Sequence, residues 1–246
     1  QYYKNLGYFN VEVESETEEI NKRNVIVKYI IKTKNRYLID SIKASIESPE
    51  LSFLYEENKK DQIIKEGEPF EINKFEDERE RLFTIFRNNG VYNFQQNSIQ
   101  FTAAIDSTGK DLKIPINIKI SNIQKRVEDS IIKIPYKSYK IKDVSIFINN
   151  AKQITNLNEY SDSINYNGFK IFSKGKLKYN PKAITSGIYI KKGKFYSDLD
   201  RNLTYRYFTS LKNFKYPNIN YTLLKDNKLN TRILLSPKER FSLGFD

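Results

Sequence analysis

The sequence predicts an α+β fold built from tandem modules, each with the element order strand, helix, helix, strand, strand. A short helix-to-strand corner occurs three times, at residues 3–8 (YKNLGY), 86–91 (FRNNGV) and 211–216 (LKNFKY), and alternating apolar residues follow each copy. The copies start 83 and 125 residues apart, which is too far for a solenoid unit of about 20–50 residues. Each copy should therefore belong to its own small domain, and the element order is α+β rather than doubly wound.

The corner itself has a physical basis. Asn and Gly tolerate positive φ and commonly close a helix, while Lys and Arg suit the negative C-terminal end of the helix dipole. Gly7 and Gly90 hold the turning position in the first two copies. The third copy has Lys215 where Gly is expected, and a non-Gly residue at positive φ is uncommon.

Residues 1–34 are predicted to be the C-terminal part of a module. They are interpreted as a helix end, a strand from about Asn10 to Glu14, an acidic turn through Glu16, Glu18 and Glu19, and a strand from Asn24 to Lys32. The chain has no Met and no basic-then-apolar leader. We therefore expect it to be a fragment of a longer protein, cut at both ends.

Residues 35–122 are predicted to form a complete module. Its elements are a strand over 37–46, a short helix from Pro49, a helix after a capping box at Asn73 and Glu76, and strands near 99–105 and 114–120. Pro115 lies inside the last strand and cannot donate to a ladder, so it is expected where no donor is required.

Residues 123–136 are polar and charged and are predicted to be a linker. Residues 137–246 are predicted to repeat the module. Its elements are a strand over 140–149, a surface loop formed by a polar insertion near 150–168, a short helix after Pro181, a helix capped by Ser197 and Asp200, and strands at 219–224 and 229–235.

Composition excludes several function classes. Without Cys or His, the chain has no thiol nucleophile, imidazole base or disulfide, and it lacks the ligands of nearly all zinc sites. The net charge of +12 is uneven: residues 1–122 hold 18 Lys and Arg against 20 Asp and Glu (−2), and residues 123–246 hold 24 against 10 (+14). The basic half indicates either an anionic neighbour, nucleic acid or a lipid surface, or simple solvation by lysines.

Several motifs together resemble a known family. They are residues 7–10 (GYFN), 67–70 (GEPF), 78–82 (ERERL), 86–90 (FRNNG), 198–201 (DLDR) and 213–217 (NFKYP). In this order they resemble POTRA domains, the periplasmic modules that precede the membrane barrel in outer-membrane protein insertases of the BamA/TamA superfamily. The resemblance covers essentially the whole chain and is closest to TamL-type lipoproteins of the Bacteroidota. Residues 236–246 are similar to the junction at which such proteins enter the barrel.

The resemblance implies a three-stranded mixed sheet with two helices on one face in each module. It also implies the periplasmic part of an outer-membrane protein assembly or translocation factor, attached to the outer membrane through a barrel. Its partners would be unfolded outer-membrane protein clients, accessory periplasmic or inner-membrane subunits (TamB-like) and the C-terminal β-barrel of the same protein. No catalytic residue, cofactor or metal is expected, and the chain is predicted not to be an enzyme.

The predicted mechanism is β-strand addition, because a sheet edge presents unpaired N–H and C=O groups to an extended client. By the family topology, the edge residues are Ile99, Gln100, Phe101, Thr102, Asn220, Tyr221 and Thr222. Basic residues beside the barrel are predicted to face anionic lipid or lipopolysaccharide: Lys191, Lys192, Lys194, Lys238 and Arg240. The alternative is a basic nucleic-acid-binding protein, indicated by aromatic residues interleaved with Lys and Arg at 205–208 and 212–216.

Overall fold

A computed structural model describes residues 1–21, 24–106, 108–148 and 160–238. The chain divides into two compact units. Unit 1 comprises Gln1–Phe83 and Gln95–Tyr136, and unit 2 comprises Thr84–Phe94 and Lys137–Asp246. The predicted corner at residues 86–91 therefore belongs to unit 2. Arg240 and most of the predicted barrel junction lie outside the described residues.

Unit 1 begins with α1 (Tyr2–Asn5) and a long antiparallel hairpin of β1 (Glu12–Asn21) and β2 (Asn24–Lys32). The predicted acidic turn is wrong, because its glutamates lie within β1, where acidic side chains alternate with Val13, Ser15 and Thr17. Glu14 pairs with Lys32 across the hairpin at 2.6 Å. Every described residue of the two strands is exposed.

The module of unit 1 has the predicted order. It contains β3 (Leu38–Ile46), α2 (Pro49–Glu57), α3 (Ile72–Asn88), β4 (Ile99–Ala103) and β5 (Lys113–Ile120). The sheet order is β3-β5-β4, with β3 parallel and β4 antiparallel to β5. Alternate residues of β5 are buried, so the predicted period-two strand is confirmed. Helix α3 begins at Ile72, which places Asn73 inside the first turn and makes the predicted capping box wrong.

The predicted linker contains a hairpin of β6 (Ile123–Val127) and β7 (Ser130–Ile134). Its turn places Glu128 at a φ of +53°. Glu47, which follows β3, binds both ends of the hairpin: its carboxylate accepts from Asn122 N (3.0 Å) and from Lys133 Nζ (3.0 Å). The hairpin was missed because its two apolar–polar runs are only five residues long and highly charged.

Unit 2 repeats the module and extends it. After β8 (Lys140–Ile148) come β9 (Asp162–Tyr166), β10 (Phe169–Ser173), α4 (Pro181–Thr185), α5 (Asp198–Ser210), β11 (Phe214–Leu224) and β12 (Lys228–Pro237). The sheet order is β11-β12-β8-β10-β9, so this sheet has five strands rather than the predicted three. The described part of the predicted loop is a hairpin whose Asn167-Gly168 turn has positive φ at both residues, as a tight hairpin requires.

At the two ends of α5, one sequence prediction is confirmed and one is wrong. At α5 the predicted cap is confirmed, because Ser197 Oγ accepts from Asp200 N at 3.2 Å. The third corner is wrong as predicted: Lys212, not Lys215, has positive φ (+55°), and Lys215 pairs with Ser236 inside the sheet. A turn over residues 211–213 joins α5 to β11, and it contains no glycine.

The first two corners have equivalent surroundings. Gly7 O accepts from Tyr37 N (2.9 Å), and Gly90 O accepts from Tyr139 N (2.9 Å). An aromatic residue two positions after each glycine packs edge-to-face on two others. We call these sets corner clusters: Phe9, Tyr37 and Phe70 in unit 1, and Tyr92, Tyr139 and Tyr196 in unit 2. The internal repeat is therefore structural as well as sequential.

Replacing Gly90 by Ala should destabilise unit 2 strongly. The residue has a φ of +103°, and an added Cβ would lie 2.8 Å from Ser138 Cβ and 3.0 Å from Phe195. Left-handed strain and overpacking together should lower the free energy of unfolding by about 3 kcal/mol. Gly193→Ala is the matched control, because its φ is +81° with no atom within 4 Å; strain alone should cost about 1 kcal/mol. Urea denaturation followed by unit 2 amide resonances measures both, and equal losses would contradict the packing role of Gly90.

Candidate strand-addition edges

Strand β4 is an edge of the unit 1 sheet, and its hydrogen bonds show which backbone groups are free. Ser121 N donates to Ser98 O (3.2 Å), and Ala104 N donates to Pro115 O (3.4 Å). In an antiparallel ladder, residues alternate between pairs that exchange hydrogen bonds and pairs that do not. Even-numbered residues of β4 therefore face β5, and the odd-numbered residues turn N–H and C=O outward: Ile99, Phe101 and Ala103.

Pro115 explains why β4 is short. Its carbonyl accepts from Ala104, but a proline nitrogen cannot return a bond to the Ala104 carbonyl. The ladder therefore ends beside Pro115, and β4 stops at Ala103. A depression of about 300 Å³ lies at this end of the sheet, lined in part by Thr102, Ala103 and Ala104.

The outward edge of β4 runs beside helix α3. Phe101 packs on Phe75 with ring centroids 5.4 Å apart, and the Arg79 guanidinium lies 5.3 Å from the Phe101 ring. Ile72, at the start of α3, is 38% exposed. An extended segment beside β4 would thus meet backbone groups on one side and apolar side chains below.

Strand β11 is the corresponding edge in unit 2, and its first half is blocked. Tyr216 has a φ of +43° at a bulge, and Pro217 follows it; both features hinder edge pairing. Lys238 N donates to Asn213 O (2.9 Å), so even-numbered residues of the partner strand face β11. The outward backbone groups after the bulge belong to Ile219, Tyr221 and Leu223.

The structure places all seven predicted edge residues on edge strands but separates them into two sets. Ile99, Phe101 and Tyr221 turn their backbone groups outward. Gln100, Thr102, Asn220 and Thr222 pair inward with the neighbouring strand. Sequence reasoning missed Ala103, Ile219 and Leu223, because the register of the ladder is not visible in a single strand. Binding of a client at any of these residues stays a prediction.

A polar network in unit 2 lies beneath the β11 edge. Arg87 binds Asp198 through two hydrogen bonds of 2.7 and 2.8 Å and donates to the Tyr196 hydroxyl at 2.7 Å. Tyr221 packs on the Tyr196 ring at 5.1 Å. Burial alone would raise the pKa of the Asp198 carboxyl, but hydrogen bonds from Arg87 and Tyr196 outweigh it and hold the pKa below its usual value. Burial raises the pKa of the Tyr221 phenol.

The predicted basic residues are only partly free. Lys191, Lys192 and Lys194 are exposed in the loop before α5, but Lys192 pairs with Asp143 at 2.9 Å. Lys238 is exposed at the end of β12. Arg240 lies outside the described residues, and contact of these basic residues with lipid stays a prediction.

Two other charged or aromatic motifs are structural. Glu78 is fully buried and binds both Arg81 and Ile63 N, so it belongs to the interior rather than to a solvated helix face. Phe208 is fully buried, and Tyr207 packs against the unit 2 core. Most aromatics at 205–208 therefore do not form an exposed stacking surface, although Tyr205 is 44% exposed. Within the described residues, no helix is both long and apolar enough to cross a membrane.

No family model and no curated protein matches this sequence. Among solved structures, BamA POTRA3-5 from Haemophilus influenzae shares 11% identity over 96% of this chain and 76% of that chain, with a TM-score of 0.42. POTRA1-3 of Omp85 from Anabaena shares 11% identity over 93% of this chain and 76% of that chain, with a TM-score of 0.34. BamA from Haemophilus ducreyi lacking POTRA domains 1-3 shares 10% identity over 82% of this chain and 30% of that chain, with a TM-score of 0.49. All three TM-scores lie below 0.5, so these similarities carry no argument about function.

Replacing Asp198 by Asn should make the stability of unit 2 less dependent on pH. A carboxyl whose folded pKa is lowered stabilises the fold above its unfolded pKa of about 3.9, and this stability is lost as pH falls through the folded pKa. Near pH 7 the variant should lose about 2 kcal/mol of unfolding free energy, because the half-buried Arg87 keeps its hydrogen bond to Tyr196 but loses the opposite charge of Asp198.

The difference between wild type and Asp198→Asn should shrink steadily below about pH 4. Asp143→Asn is the control: its partner Lys192 is mostly exposed, and the change should cost under about 1 kcal/mol. Denaturant titrations from pH 3 to 8 measure both. A gap that stays constant across this range would show that the Asp198 charge does not contribute.

Proposed function

We propose that this chain is the POTRA portion of a periplasmic outer-membrane protein assembly or translocation factor, and that it holds extended clients by strand addition. Clients would pair with the outward backbone of β4 and β11. Held segments would pass to a C-terminal β-barrel of the same protein, with accessory TamB-like subunits as further partners. Within this class, the motif pattern favours a TamL-type protein attached to the outer membrane. The proposed activity is binding, without a covalent step.

The observation that carries this proposal is the repeated geometry of the free edges. In both units, the edge strand is antiparallel to the last strand of the module and turns alternate backbone groups outward. Among those outward residues, Ile99 and Ile219 are buried, and Phe101 and Tyr221 contact other aromatic rings. Backbone pairing is tolerant of client sequence, while an apolar floor favours the alternating residues of barrel strands.

Ala103→Pro should weaken client binding at β4 without breaking the sheet. Proline removes the outward N–H of residue 103 and leaves the inward bonds of Thr102 intact, and edge strands tolerate proline. Affinity for a β-strand peptide from an outer-membrane protein should fall about fivefold or more, the loss of one hydrogen bond of about 1 kcal/mol.

Ala103→Val is the matched control, because it keeps the outward N–H and suits a strand. When the peptide is titrated and amide exchange is followed, the amides of Ile99, Phe101 and Ala103 should become protected in the wild type and in this control. Leu223→Pro and Leu223→Val form the same pair on β11. Equal affinities for the proline and valine variants at both edges would overturn strand addition there.

We also propose that the loop at residues 190–194 contacts anionic head groups of lipid or lipopolysaccharide. Unit 1 has the same loop at 64–68, where Gly67 N donates to Ile39 O as Gly193 N donates to Ile141 O, both at 2.8 Å. The sequences are IKEGE in unit 1 and IKKGK in unit 2. The extra lysines therefore are not needed to form the loop, and each could contribute about 1 kcal/mol at an anionic surface.

Lys192→Glu with Lys194→Glu gives unit 2 the charges that the unit 1 loop already carries. The double variant should fold normally and lose flotation with anionic vesicles, with little change on neutral vesicles. Lys59→Glu with Lys60→Glu, on exposed positions of unit 1, is the charge-matched control. Retained, salt-insensitive flotation of the first variant would count against the lipid contact.

A further inference from the structure

The first strand of each module carries the same irregularity, which allows the two strands to be aligned residue by residue. The register shifts at Asp40 in β3 and at Lys142 in β8. Just before each shift, one residue exchanges two hydrogen bonds with the glycine loop: Ile39 with Gly67 and Glu68, and Ile141 with Gly193 and Lys194, all at 2.8 Å. Residues 42–46 of β3 therefore correspond to residues 144–148 of β8.

These equivalent segments differ in what lies beside them. In unit 2, β10 pairs with β8 in parallel, with Phe169 opposite Val144 and Ser173 opposite Ile148. In unit 1, β5 is the only named strand that pairs with β3 among the described residues. On the other side of β3, Leu38 bridges Pro69 and Ile39 bonds the glycine loop, and no described strand lies beside residues 42–46. The inserted hairpin of unit 2 thus fills an edge that unit 1 leaves unpaired.

The equivalent residues of the two strands also differ in their exposure. Val144, Ile146 and Ile148, which lie beside β10 in the sheet, are 2%, 0% and 6% exposed. Their equivalents in β3 are Ile42 and Ile46, which are half-buried, and Ala44, which is exposed. These three also turn their backbone outward, since Ile42 N donates to the Glu66 carboxylate (3.0 Å) on the open side. Glu66 takes the place that a strand carbonyl would have at the first position.

We propose that the β3 edge at Ile42–Ile46 is a second docking site of unit 1, which takes an extended segment in parallel orientation. The occupant has apolar side chains at its first and third positions, as β10 has Phe169 and Ile171 over the unit 2 core. This site is on a different strand from β4, so it does not depend on client binding at β4.

The charge of Lys43, on the β3 edge, indicates which residue the occupant should have at its second position. In unit 2, Lys170 lies opposite Ser145. The equivalent of Ser145 in unit 1 is Lys43, which is exposed and makes no ion pair within the described residues. Opposite charges across a strand pair are favourable, and like charges are unfavourable. The site should therefore prefer an acidic residue where β10 has Lys170.

The test uses the full chain and a peptide that copies residues 167–174 (NGFKIFSK), with a second peptide carrying Lys170→Glu. Amide shifts and exchange protection should appear at Ala44 and Ile46. The Glu peptide should bind about two- to fivefold tighter than the Lys peptide. With the chain variant Lys43→Glu, this order should reverse, which separates recognition by β3 from adsorption to a basic protein.

Two further measurements identify the edge at which the peptide binds and the direction in which it runs. Ala44→Pro removes an outward N–H and should abolish the response at β3, whereas Ala44→Val and Ala103→Pro should leave it unchanged. A paramagnetic tag on the peptide N-terminus should broaden Ile42 more than Ile46. The proposal would be overturned if the peptide did not bind, or if the response were confined to β4, β11 or unit 2. It would also be overturned if Lys43→Glu did not reverse the order of the two peptides, or if the tag broadened Ile46 more than Ile42. Failure at β3 with an intact response at β4 would leave strand addition at β4 standing.

Discussion

In each unit, one tyrosine before the first module strand ties three distant segments together through its backbone. Tyr37 N donates to Gly7 O (2.9 Å), and Tyr37 O accepts from Phe70 N (3.0 Å). Tyr139 does the same with Gly90 and Tyr196, at 2.9 Å for both bonds. The strand start, the glycine corner and the loop before the second helix are therefore fixed at one point. Because edge-to-face ring contacts accompany the backbone bonds, a substitution at the corner should disturb both the strand and the helix.

The sheet edges differ in how far their backbone groups are free to pair with another strand. The β11 edge is broken by a bulge and Pro217, and the β8 edge is filled by β10. The first outward amide of the open β3 segment is bound by Glu66, and β4 ends where Pro115 has no N–H to give. These devices limit uncontrolled pairing between sheets. They leave short stretches of a few outward groups, which suit reversible contact with an extended chain better than permanent association.

The sequence predicted the elements whose signals are local. The strict alternation of β5 and the Ser197 cap were visible because period and cap lie within a few residues. The β6–β7 and β9–β10 hairpins were not, since strands of five polar-rich residues resemble loops until a partner strand is known. Burial of Glu78 was also missed. Its neighbours in the sequence are charged, and an interior carboxylate is acceptable here because Arg81 and the distant Ile63 N both donate hydrogen bonds to it.

The candidate site was predictable only to the level of the strand. Edge position follows from the order of elements, and all seven predicted residues lie on β4 or β11. Which residues present free backbone groups depends on ladder parity, set by Ser98 with Ser121 in unit 1 and by the bulge at Tyr216 in unit 2. Parity changes with one inserted residue, and a single sequence does not reveal it. The same reasoning makes the inserted hairpin informative: by occupying the β8 edge, it shows the orientation, spacing and side-chain pattern that the equivalent β3 edge can accept.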